Sequence, residues 1–178
     1  MASVLGTLGP AGATISAVAA AAGLTTGLVH HHVTDKDALY GLVLEELRAQ
    51  FQARRAASAG DPLDGYIDAA LSLGARSDII GARAWVGVFA EAVSREPLRA
   101  AVRRALDAEI ATVERLSRGS LDTAGASAVV AFVVGALVLG AFAPRKTAGF
   151  AADSLRQMMV GLRRGRARAA LSDQTPSR

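Results

Sequence analysis

The sequence predicts an all-α protein. Apolar residues recur at three- and four-residue spacing along nearly every segment, glycines, prolines and short polar residues punctuate them at helix-length intervals, and no stretch alternates apolar and polar with period two. At 178 residues and 51% hydrophobic content, the chain is long enough for one or two domains around a buried core.

From the amino terminus, Ala2 to Leu8 allows only a short first helix, weakened by Gly6 and Gly9. Thr14 is a candidate N-cap for a second helix whose Ile15, Val18, Ala19 and Ala22 share one face. Gly23 suits the left-handed turn that ends such a helix, with Leu24 folding back on it. Thr25 then caps a two-turn piece from Thr26 to about His31, anchored by Val29 and too short to persist without docking. Asp35 caps a longer helix with Leu39, Val43 and Leu47 on one stripe. Two short helices around a tight turn, followed by a longer one, is the layout of a helix-turn-helix. A B-DNA major groove accepts one helix, and this layout offers it the N-terminal side chains of the short one. Ala19 to Ala22 permit close helix crossing, and Gly27 permits close approach of backbone to a duplex.

The run from Val18 to Leu39, VAAAAGLTTGLVHHHVTDKDAL, resembles the DNA-binding domain of TetR-family transcriptional regulators, whose pattern is close to I-A-x-x-A-G-V-S-x-G-x-L-Y-x-H-F-x-x-K-x-x-L. Order and spacing hold without a gap. His30 stands where the family usually has tyrosine and Val33 where it has phenylalanine, which reduces the aromatic plug under the short helix. The His-rich end is similar to a branch that includes choline-responsive and polyamine-type repressors.

The resemblance implies a three-helix, homeodomain-like helix-turn-helix domain over 1–50 and a helical effector-binding and dimerisation domain over 51–166, with a disordered tail at 167–178. It implies a homodimeric, cytoplasmic repressor released from a double-stranded DNA operator by a small-molecule effector. Thr25, Thr26, Gly27 and Leu28 would meet base edges, and His30, His31 and Lys36 would meet phosphates. Family members carry a longer segment ahead of this point, so the short first helix implies a loosely held DNA-binding domain and weak binding.

Charge distribution sharpens that expectation. Residues 1–60 balance Lys36, Arg48, Arg54 and Arg55 against Asp35, Asp37, Glu45 and Glu46, whereas residues 156–178 hold six arginines and one aspartate. Phosphate neutralisation supplies most non-specific affinity, so the balanced segment predicts modest binding with a shallow salt slope. The arginine run from Arg163 to Arg168 reads as a solvated helix end.

Beyond Asp61 and Pro62, which open a helix, further apolar faces follow. They are Leu63, Tyr66, Ile67, Ala70 and Leu71; then Trp85, Val88, Phe89, Ala92 and Val93 from about 82 to 95; then, after Pro97, Leu98, Val102, Leu106, Ile110, Val113 and Leu116. Tyr66, Trp85 and Phe89 sit on helices that surround the effector cavity in the resembling family, although core packing is the alternative for each. Glu91 beside them would favour a cationic effector through aromatic faces and a carboxylate. The carboxylates Asp64, Asp68, Glu91 and Glu109 could line a pocket, but helix surfaces carry such residues routinely and solvation is the default for each.

The stretch from Thr123 to Ala143 lacks any charge and is long enough to span a bilayer. Its alanine and glycine content and missing aromatic anchors favour instead a helix buried between a core and a partner subunit. By resemblance it pairs with a helix at about 149–164 to form a four-helix bundle with a second copy, through Val129, Val130, Val133 and Leu137 together with Leu155, Met158, Met159 and Leu162. A small membrane-associated protein using 123–143 as a span, and a helical-bundle enzyme, are the alternatives.

The chain has no cysteine, which excludes disulfides, thiolate metal sites and cysteine nucleophiles. It carries no nucleophile elbow, phosphate-binding loop or zinc-binding helix motif, so neither enzymatic activity nor a cofactor is expected. His30, His31 and His32 invite a metal reading, but consecutive helical residues point about 100° apart and do not converge on one ion. The amino-terminal MASVLGTLGPAGA lacks the features of a signal peptide, and a cytoplasmic location is expected.

Overall fold

Short polar side chains set most helix boundaries in the computed structural model, which describes residues 1–31, 33–58, 60–71, 75–147 and 149–172, the backbone alone at 30, 76, 77 and 162–172. The helices are α1 (Ala2–Gly12), α2 (Ile15–Ala22), α3 (Thr26–His30), α4 (Lys36–Ala57), α5 (Pro62–Leu71), α6 (Arg76–Ser94), α7 (Glu96–Leu116), α8 (Thr123–Phe142) and α9 (Ala151–Ser172), with a 3-10 turn at Pro144–Lys146. Among the described residues there is no strand. The fold is all-α.

Three threonine and aspartate caps define the amino-terminal helices. Thr14 Oγ1 accepts from the Ala17 N–H at 3.1 Å, Thr25 Oγ1 from Leu28 at 3.4 Å, and Asp35 Oδ1 from Ala38 at 2.8 Å. Each such cap contributes about 1 kcal/mol. Gly23 takes the left-handed conformation (φ 65°), and the Leu24 and Gly23 N–H groups return to the carbonyls of Ala19 and Ala20, closing α2 by a Schellman turn. A five-residue α3 has no stability of its own. It is held by Val29 and Val33, which are buried with Val4, Val18, Ala19 and Leu39.

The first helix departs from expectation. Gly6 weakens α1 as an isolated helix, yet it is what docks it: a Cβ on Gly6 would overlap the Ile80 carbonyl oxygen, so only glycine lets α1 lie this close to α6. On the facing side Leu5, 1% exposed, fills the space above Gly87, where an added Cβ would stand 3.2 Å from the leucine side chain. The Ala2 N–H also donates to Glu46 Oε2 on α4 at 2.9 Å. The expected loose brace is therefore corrected to one of the most closely packed helix pairs in the chain. Propensity ranks residues in isolated helices, and here tertiary burial outweighs it.

Two further hydrophobic clusters build the rest. One joins Leu5 of α1, Tyr40, Val43, Leu44 and Leu47 of α4, Ala84 and Val88 of α6, and Leu98 and Val102 of α7. The other joins Tyr66 and Ile67 of α5, Val113 of α7, Val129, Val130 and Val133 of α8, and Leu155 and Met159 of α9. Helix α6 begins at Arg76, earlier than its apolar face suggested, and α9 continues past the expected end to Ser172. Residues 173–178 of the expected tail lie outside the described residues.

The Gly6 contact yields a test by opposite signs. Gly6→Ala is expected to lower the unfolding free energy by about 1–3 kcal/mol, because the overlapping atom is backbone and cannot rotate away. Gly41→Ala in α4, where an added Cβ meets nothing within 4 Å, is expected to raise it by up to about 1 kcal/mol through helix propensity. Urea denaturation of both variants reads the difference.

Candidate nucleic-acid interface and ligand cavity

Thr25, Thr26, Gly27 and Leu28 all lie exposed on one end of α3, while the same helix turns Val29 inward. This follows from the caps: the Thr25 cap fixes where the helix starts, and Val29 and Val33 fix which side faces the core. Leu24 and Leu28 add apolar surface, each 47% exposed. His31 is exposed just past the helix; the side chain of His30 and the whole of His32 lie outside the described residues. No lysine or arginine occurs before Lys36, so α2 and α3 offer a nucleic acid hydroxyls and backbone rather than fixed charge.

Lys36, at the start of α4, is engaged within the protein. Its Nζ lies 3.7 Å from Glu91 Oε1 and 5.6 Å from the centre of the Tyr40 ring. Arg95, just past the end of α6, donates from Nη1 to Asp37 at 2.7 Å and from Nε to Glu91 at 2.8 Å. The cluster ties the start of α4 to the end of α6. Glu91, expected beside the effector, belongs to this cluster and does not line the cavity. The reason is helical phase: two residues beyond Phe89, it points about 200° away from the cavity face.

That cavity opens between α4, α5, α6, α7 and α8, and the space between atoms in and around it, open solvent included, is about 640 Å³. It brings together Tyr66, Trp85 and Phe89 and adds Phe51 of α4. Phe51 meets Tyr66 edge-on with ring centres 5.4 Å apart, and Trp85 lies 5.6 Å from Phe89. Val102, Leu106, Val130, Val133, Val134 and Leu137 complete the apolar wall. Three charged side chains reach it: Arg48, Arg54 and Glu109. Arg54 Nε donates to the Ala69 carbonyl at 3.2 Å. Burial pushes the Glu109 carboxyl above the usual range, with Arg55 and Arg48 opposing the shift. Glu109, expected by default to be solvated, instead lines the cavity with Oε2 sealed from water; the one signal in the sequence was its helical register with Val102 and Leu106, which places a charge in an otherwise apolar stripe.

The residues expected to face a second subunit divide. Val129, Val130 and Val133 are buried in the protomer's own core, and Val133 and Leu137 line the cavity. Leu155 and Met159 are buried as well, Met158 is exposed, and the side chain of Leu162 lies outside the described residues. The outward face of α8 is instead Ala124, Ala128, Ala131, Gly135, Val138 and Phe142, spaced by three and four. Phe142 is 78% exposed. Arg156 clamps α9 to α5, with Nη2 2.6 Å from Asp68 and Nε 3.1 Å from Asp64.

A buried carboxyl with a raised pKa binds its proton more tightly in the folded chain than in the unfolded one. Its contribution favours folding below the ordinary glutamate value and is lost as pH rises from that value through the raised one. Glu109→Gln is expected to match the wild type in acid and to exceed it in stability at neutral pH. Chemical denaturation at a series of pH values measures the gap.

No family model matches the chain, and no curated protein does. Solved structures do. A protein described as a transcriptional regulator from Rhodococcus sp. Rha1 superposes with a TM-score of 0.77 at 21% identity, over 90% of each chain. A second from Rhodococcus sp., described as a TetR-family transcriptional regulator, gives 0.71 at 22% identity, again over 90% of each. A third, described as a transcriptional regulator from Pseudomonas aeruginosa PAO1, gives 0.67 at 18% identity over 94% of this chain and 89% of that one. The chain has the all-helical fold of TetR-type transcriptional regulators.

Proposed function

We propose that the protein is a TetR-family, ligand-responsive transcriptional regulator that binds operator DNA as a homodimer in the cytoplasm and is released by a small molecule. Residues 1–50 act as the DNA-binding domain and the helices beyond them as the effector-binding and dimerisation domain. The observation that carries this reading is the continuity from α3 to the cavity. The exposed Thr25–Leu28 surface belongs to a three-helix unit that α1 seats on α6, and α6 supplies Trp85 and Phe89 to the cavity wall. A ligand that moves α6 changes the separation of the two recognition helices in a dimer, and with it their fit to half-sites about one helical turn apart.

Helix α8 has a mean hydropathy of 2.3 over its most apolar window and is long enough to cross a bilayer. Its inner face nevertheless carries part of the protomer core, and its outer face is a stripe of small residues ending in Val138 and Phe142. That pattern suits a second copy of the same helix approaching closely, and we assign the dimer contact to it together with exposed Met158 of α9.

DNA binding tests the first part. With an operator selected from random duplexes, Thr26→Ala is expected to reduce discrimination against scrambled DNA by roughly ten-fold, at about 1 kcal/mol or more per lost base contact. Lys36→Ala is expected to weaken operator and scrambled DNA alike and flatten the salt slope by about one unit. Wild-type affinity, discrimination and salt slope in both variants would move the interface elsewhere.

The dimer has its own test. An added Cβ at Gly135 meets nothing within 4 Å, so Gly135→Glu leaves the protomer intact while placing a charge in the contact stripe. Sedimentation velocity is expected to find a folded monomer with unchanged helix content, and an unaltered dimer would reject the assignment.

A further inference from the structure

The polar groups of the cavity narrow the chemistry of its ligand, on the reading that the cavity is the effector site. Its walls are aromatic and aliphatic, from Phe51, Tyr66, Trp85 and Phe89 to the valines of α8, so most of any occupant must be apolar. Arg48 on α4 and Glu109 on α7 are different. Both line the cavity, opposite in charge, and no ion pair within 4 Å joins them. Arg48 Nε and Glu109 Oε2 are sealed from water without a hydrogen-bond partner. Such groups are costly to leave unsatisfied, and each gains from a partner that a ligand brings.

The head groups available to an apolar molecule are not equivalent here. A carboxylate would satisfy Arg48 and confront Glu109, whereas an ammonium would satisfy Glu109 and confront Arg48. Arg54 does not tip the balance toward an anion, because its Nε is committed to the Ala69 carbonyl and its side chain is exposed to water. A hydroxyl oxygen accepts from the guanidinium and donates its own proton to the carboxylate, so one uncharged group serves both. We propose that the effector is a neutral amphipathic alcohol or phenol, held by its apolar skeleton among the aromatic residues and by its hydroxyl between Arg48 and Glu109. This replaces the cationic effector that Glu91 suggested, since Glu91 is paired with Lys36 and Arg95 elsewhere.

Four probes with one skeleton test the head group: 4-butylphenol, butylbenzene, 4-butylbenzoate and 4-butylbenzylamine, each titrated calorimetrically into the full chain. The phenol is expected to bind about ten-fold more tightly than butylbenzene, the gain typical of a satisfied buried pair, and more tightly than either charged probe. Arg48→Met and Glu109→Leu are each expected to bring the ratio of phenol to butylbenzene affinity near unity. Glu109→Gln, which keeps an acceptor and guards against a folding defect, is expected to retain part of it. Equal binding of all four probes, or tightest binding of the benzoate or the amine, would overturn the hydroxyl assignment while leaving the cavity as a ligand site. Binding of none, with operator DNA still bound, would overturn the hydroxyl assignment and the effector-site reading together.

Discussion

The close approach of α1 to α6 is the contact on which the rest of the architecture depends. It is made possible by a missing side chain at Gly6 and completed by Leu5 over Gly87. A methyl group at Gly6 would push the two backbones apart, and with them the cluster that holds α3 against Val4, Val18 and Leu39. Since α6 also supplies Trp85 and Phe89 to the cavity, the same helix borders the cavity on one side and seats the helix-turn-helix unit on another. Packed interfaces of this kind shift as units rather than deforming smoothly.

Charge reinforces that joint. Lys36 and Asp37 open α4, Glu91 and Arg95 close α6, and the four side chains form one partly exposed network. An isolated surface pair of this sort contributes at most about 1 kcal/mol, so the network orients the helix ends more than it stabilises the fold. It also engages Lys36, the first cation of the helix-turn-helix region.

Helix α8 serves two surfaces at once. Val129, Val130 and Val133 close the protomer core, and Val133 continues into the cavity wall, while Ala124, Ala128, Ala131 and Gly135 form a flat outer stripe. Small residues on the outside and branched ones on the inside explain how one uncharged helix lines the cavity and still presents a flat outer face. Arg156, held by Asp64 and Asp68, keeps α9 alongside α5 at the edge of the same layer.

What the sequence determined by itself is local. The caps at Thr14, Thr25 and Asp35, the left-handed Gly23, and the spacing of Val18, Val29 and Leu39 depend on residues within a few positions of one another, so the helix-turn-helix was legible before any tertiary contact was known. The gathering of Tyr66, Trp85 and Phe89 in one cavity was half-legible, as scarce aromatics on neighbouring helices. Tertiary structure decided the rest. A helix apolar on every side, such as α8, carries no orientation in its pattern, so which valines faced inward depended on the neighbours that covered them. Glu91 and Glu109 look alike in sequence, and their helices' packing made one an ion-pair partner of α4 and buried the other in the cavity wall. Gly6 read as a defect because helix propensity is a property of an isolated chain, and became a contact because close packing rewards the residue that takes least space.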